Sequence, residues 1–215
     1  MLVEFVGASG VGKSFLAARI YDELIQRNVS VAEFQSIRIM RNSVRNSLIV
    51  VQTALATLLL KPEKLSMYVG SVKRLARYNI RQRSCESGHD VYICDEGIFQ
   101  MLRSLYRNSR SHSMTDIADR LFKLVSLPDI VVVVEAGTEK IFARRTDRNR
   151  QNDSFSRQSV NQDVLLLKDT IMAIKHIQRF PKTNMQMIVL DLEKDDVETV
   201  VEKTVSFVQA RLARA

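Results

Sequence analysis

A short apolar run at residues 2–6 passes without a break into Gly7-Ala8-Ser9-Gly10-Val11-Gly12-Lys13-Ser14, and this junction constrains the chain more than any other stretch. The eight residues read G-x-x-x-x-G-K-S, a strand-to-helix turn whose glycines permit positive φ and a close approach of backbone to ligand. Successive N–H groups of such a loop form a nest for phosphate oxygens, at the positive end of the helix that opens near Lys13. In this pattern the lysine ammonium reaches the β- and γ-phosphates, and the serine hydroxyl ligates Mg²⁺. The expected nucleotide contacts are therefore Gly7, Ala8, Ser9, Gly10, Val11, Gly12, Lys13, Ser14 and Phe15, the last in the helix that follows the loop. A glycine-rich turn without a ligand is the bland alternative. The preceding strand and the helix-prone residues 15–20 weigh against it, and the expected cofactors are ATP and Mg²⁺.

Hydrophobic patterning organises the rest. Period-two or continuous apolar runs at 29–34, 91–95, 130–135 and 185–192 predict four further strands. Helical spacing predicts helices at 13–27, 63–83, 98–108, 115–125, 138–148, 160–180 and 196–214, with another apolar, Ala/Leu-rich helix at 47–60. Strands alternating with helices give an α/β fold, a three-layer, doubly wound, parallel five-stranded sheet. Its 215 residues suit a single domain, 1–215, with 36–84 as a helical insertion after the second strand. Ligands of such sheets sit at the carboxyl ends of the strands. That places the glycine-rich loop, Asp95-Glu96 and the segment after Glu135 around one crevice.

No apolar run reaches 18 residues, so no membrane span is expected, and the N-terminus lacks a secretory pattern. Two cysteines, Cys85 and Cys94, are too few for a disulfide framework, which fits a reducing cytoplasm. The net charge of +8 is unevenly spread. Residues 35–84 carry ten Lys/Arg against the single acid Glu63, and residues 140–157 carry six against two. Such concentration points to an anionic partner for at least one stretch, with a solvated helix face as the alternative for the first. The basic helix 71–83 lacks a recognised nucleic-acid motif, and nucleic acid is disfavoured as a partner.

Three groups have the chemistry for phosphoryl transfer, which needs positioning, Mg²⁺ and charge neutralisation. Lys13 and Ser14 are the first. Asp95 ends an apolar strand, where its carboxylate would face the metal, with a helix cap as its alternative role. Glu96 beside it is read as a general base, a substrate contact or a first-turn acid. Arg144 and Arg148 are spaced i, i+4 on one helix face, and Arg150 follows. Guanidinium groups there suit a clamp on β/γ-phosphates. The catalytic set is thus Lys13, Asp95, Glu96, Arg144 and Arg148, with Ser14 and Asp95 as metal ligands and Arg144 also touching nucleotide.

The glycine-rich loop, the strand-end Asp95, the segment LPDIVVVVEAGTEKIFARR and the run Arg144/Arg148/Arg150 together resemble the P-loop kinases related to thymidylate, deoxynucleoside and other nucleoside monophosphate kinases. The resemblance implies that residues 144–158 form a lid and that the 36–84 insertion forms the acceptor site. It also implies a small-molecule acceptor as partner, and a homodimer is carried as an open expectation. Where those kinases follow the strand-three acid with an arginine, this chain has Glu96. A carboxylate there would repel an acceptor phosphate and suits a hydroxyl-bearing nucleoside or sugar, whereas the basic insertion argues for an anionic group. The rival reading is a P-loop ATPase or nucleotide switch acting on a macromolecule, because an apolar run ending in Asp95-Glu96 also matches the Walker B pattern of ATPases.

Overall fold

Central to the sheet is β1 (Leu2–Gly7), every residue of which is buried. A computed structural model describes residues 1–36, 65–85, 88–107, 113–122, 125–148, 156–180 and 183–214. In chain order the elements are β1, α1 (Lys13–Gln26), β2 (Val31–Glu33), a 3-10 turn (Phe34–Ser36), α2 (Leu65–Ser84), β3 (Val91–Cys94), α3 (Ile98–Arg107), α4 (Met114–Leu121), β4 (Ile130–Glu135), α5 (Thr138–Arg148), α6 (Arg157–Gln178), β5 (Gln186–Asp191) and α7 (Val197–Leu212). The strand order is β2-β3-β1-β4-β5, and every pairing is parallel. Val3 lies opposite Ile93 on one side and Ile130 on the other. The predicted parallel five-stranded α/β sheet is the one observed.

Strand side chains alternate between faces, and the two faces have separate cores. Leu2, Val6, Tyr92, Cys94, Val131 and Val133 pack with residues of α2, α3, α4 and α6. Val3, Phe5, Ile93, Val132 and Val134 pack with residues of α1 and α7. Both faces of the central strands are therefore covered, which is why β4 is the unbroken apolar run Ile-Val-Val-Val-Val. Asp129 ties β4 to β1 by accepting the Leu2 N–H at 2.7 Å.

Element edges depart from the expected ones where caps act. The helix expected from 160 begins at Arg157, because Ser156 Oγ accepts from the Ser159 N–H at 3.2 Å and starts it three residues early. α7 begins at Val197 because Asp196 accepts the Thr199 N–H at 2.7 Å. The second strand is shorter than expected: the chain leaves the sheet at Phe34 for a 3-10 turn, in which Ser36 Oγ donates to the Glu33 carbonyl at 2.7 Å. The expected helix 47–60 lies outside the described residues, as do 149–155 of the expected lid. Among the described residues no helix is long and apolar enough to cross a membrane.

Candidate functional site

The loop between β1 and α1 sits at the carboxyl edge of the sheet, as a doubly wound topology requires. Gly12 adopts φ 110° at the N-terminus of α1, a conformation that only glycine takes without strain. Lys13 follows. Its Nζ donates to the Gly7 and Ala8 carbonyls at 3.1 and 3.0 Å, so the side chain folds back across the loop. Burial, then the neighbouring Arg103, pushes the Lys13 ammonium down to about 8, while Asp95 and Glu96 oppose that shift. The lysine is thus still largely charged near neutrality, with both strand-three carboxylates in its field.

Ser14 Oγ donates to Asp95 Oδ2 at 3.0 Å. The distance follows from the topology: β3 lies beside β1, and Asp95 is the first residue beyond the buried β3 run. A hydroxyl and a carboxylate oxygen so close together suit a hard divalent cation, with its remaining ligands drawn from water and phosphate. Among the described residues no group of three or more His, Cys, Asp or Glu forms a cage of its own. Glu96, the next residue, is exposed.

Arginines bond the loop's carbonyls. Arg144 Nη1 donates to the Val11 carbonyl, and Arg145 Nε donates to the Ser9 carbonyl at 2.8 Å. Arg103 Nη1 donates to the Gly7 carbonyl at 2.5 Å. Asp163 of α6 ties them together: its carboxylate pairs with Arg107 and Arg145, and its backbone carbonyl accepts from Arg103 at 3.2 Å.

The structure therefore brings together Gly7–Ser14, Asp95, Glu96 and Arg144 as the sequence implied. Phe15 lies on the first turn of α1 and is about half exposed. Arg148 closes α5, with its side chain outside the described residues, as is Arg150. Sequence reasoning missed Arg103, Arg145 and Asp163, each nearly buried. The signals were present. Arg145 is four residues after the buried Ile141, and Arg103 interrupts an otherwise apolar set, Ile98, Phe99, Met101, Leu102 and Leu105. A cation on an apolar helix face needs a specific partner.

No family model and no curated protein matches the chain. Among solved structures it is similar to deoxyadenosine kinase from M. mycoides with the products dCMP and a flexible dCDP bound, at TM-score 0.55 and 15% identity over 100% of both chains. The same enzyme with bound dCTP gives TM-score 0.51 and 14% identity, again over 100% of both chains. The YorR protein from Bacillus subtilis, in complex with phosphorylated GDP, gives 0.53 and 13% over 98% of this chain and 97% of that one. What the chain shares with these proteins, end to end, is the fold.

Proposed function

We propose that this protein is a phosphotransferase that moves the γ-phosphoryl group of Mg²⁺-ATP to a small-molecule acceptor of the nucleoside, nucleotide or sugar class. The observation that carries the proposal is the Ser14–Asp95 contact at 3.0 Å, within a loop that also holds Lys13 and is flanked by Arg144. Bound Mg²⁺ would neutralise phosphate charge between that hydroxyl and that carboxylate. Lys13 would exchange the Gly7 and Ala8 carbonyls for phosphate oxygens and stabilise charge on the transferring group. Arg144, reaching the loop from α5, is placed to follow with a second cation. Asp95 is engaged with Ser14, which leaves the exposed Glu96 to face the acceptor and take its hydroxyl proton. The fold neighbours, one a deoxyadenosine kinase, favour nucleosides and their phosphates as the first acceptors to try.

The test is ATP turnover alone and with a panel of nucleosides, nucleotides and sugars. Kinases hold back water until the acceptor completes the site. Stimulation by one acceptor class, lost about 10²–10³-fold in a folded Lys13→Ala protein, supports the proposal. Sustained hydrolysis that no acceptor alters would favour the ATPase reading, in which Glu96 polarises water.

A further inference from the structure

Three arginines from two helices meet the glycine-rich loop, and they do so in a pattern. Arg103 takes the carbonyl of residue 7, Arg145 that of residue 9, and Arg144 that of residue 11. In a trans peptide unit the N–H of the next residue points opposite to the carbonyl, and the chain has no cis bonds among its described residues. Each of these carbonyls is held by a guanidinium, so the N–H that follows it, of Ala8, Gly10 or Gly12, points away from the arginine that holds it. Fixed backbone N–H donors are what an anion nest consists of.

Arg103 is distinct among the three. It is 3% exposed, and its hydrogen bonds go to neutral oxygens: the Gly7 and Asp163 carbonyls and Gln100 Oε1 at 3.2 Å. Its Nε is buried, and among the described residues it has no hydrogen-bond partner. A guanidinium buried on those terms is costly, so its place needs a reason. The Gly7 carbonyl supplies one, because it accepts from both Arg103 at 2.5 Å and Lys13 at 3.1 Å. When Lys13 moves to a phosphate, Arg103 is the side-chain donor that stays on that buried carbonyl.

We infer that Arg103 is a positioning residue for the phosphate loop: it keeps the Gly7 carbonyl bonded while Lys13 changes partner, and with Arg145 and Arg144 it holds the loop's N–H groups aimed at the anion. Asp163 anchors the device by fixing Arg145 through its carboxylate and Arg103 through its carbonyl. The inference rests on the reading of this loop as a phosphate site, and its test separates the two.

Two readouts on the protein of residues 1–215 suffice: binding of inorganic tripolyphosphate by calorimetry, and backbone hydrogen exchange of the peptide spanning residues 7–14, read by mass spectrometry without nucleotide. In Arg103→Gln, tripolyphosphate affinity should fall about tenfold, and the loop amides should exchange several-fold faster while those of α7 do not change. Arg103→Lys, which keeps the charge with fewer donors, should restore part of both. A folded Arg103→Gln protein with wild-type affinity and loop exchange overturns the inference. Should that variant not fold, Arg103→Lys carries the test, and wild-type affinity in it is the overturning result. Should the wild-type protein bind no tripolyphosphate, the phosphate reading fails, and unaltered loop exchange in Arg103→Gln then overturns the inference on its own.

Discussion

Glu4, in the middle of β1, fills the space where a side chain on Gly97 would be. Its carboxylate is fully buried and accepts the N–H groups of Ile98 and Phe99 at 2.9 and 2.7 Å, so the central strand caps the helix that follows Asp95 and Glu96. A methyl group built on Gly97 lands on the Glu4 carboxyl carbon. The two residues are 93 apart in sequence, yet together they set the turn that carries both strand-three acids.

Substitution at Gly97 should expose that dependence. Gly97→Ala is expected to destabilise by about 1–3 kcal/mol, the usual range for overpacking. Glu4→Ala should cost a comparable amount by leaving two buried N–H groups unbonded. In the double variant the clash is relieved, so the combined loss should be smaller than the sum of the single losses. Urea unfolding of the four proteins measures this, and strict additivity would refute the coupling.

The same carboxyl makes stability depend on pH. Burial raises Glu4 from 4.5 to about 8, against the lowering effect of the Phe99 and Ile98 N–H groups. The folded state thus holds a proton over this window that the unfolded chain has released. Stability contributed by that proton is present in full below 4.5 and is lost as pH rises through about 8. Relative to Glu4→Gln, which cannot titrate, wild-type stability should fall with pH between these limits, with a slope approaching about 1.4 kcal/mol per unit. Denaturation midpoints at pH 5, 6.5 and 8 for both proteins would show it; parallel curves would contradict it.

Asp163 joins Arg145, which is 4% exposed, to Arg107, which is half exposed. Asp163→Asn takes a counter-charge from a buried guanidinium and should cost about 3–5 kcal/mol. Asp163→Asn combined with Arg145→Met should be less damaging than Asp163→Asn alone, since the buried charge is removed with its partner. Thermal unfolding decides between that rank order and its reverse.

On the proposed function, Ser14 and Asp95 act as one unit around the metal. Ser14→Ala and Asp95→Asn should each lower turnover by about 10²–10³, and the double variant should lose little more than the worse single one. Raising the Mg²⁺ concentration should recover part of the loss in Ser14→Ala. Independent, multiplying losses in a coupled assay would speak against a shared site.

Much of this was legible in the sequence, for physical reasons that vary by residue. The loop Gly7–Ser14 is local: its spacing alone requires the strand before it and the helix after it. β4 was readable because burial on both faces demands an unbroken apolar run. Asp95 was readable because a parallel sheet gathers the ends of its strands. Arg103, Arg145 and Glu4 were not, since, Gln100 beside Arg103 aside, the partners that hold them lie between 18 and 136 residues away. Charges counted along a chain look solvated until the fold supplies a carbonyl or carboxylate to meet them. Arg144 and Arg145 show how narrow the margin is, as adjacent residues bond different loop carbonyls from different depths.

The placing of β1 has a consequence for synthesis. The first made of the five described strands is the middle of the sheet, and its N-terminal end is tied to Asp90 and Asp129, across 89 and 127 residues. At about 5–20 residues per second, roughly ten seconds pass before both neighbours exist. Until then β1 lacks both neighbouring strands, and of the helices that cover it only α1 is close in sequence. A chain built this way depends on late residues to shelter its earliest ones, so truncation before β4 should yield an insoluble fragment rather than a smaller folded one.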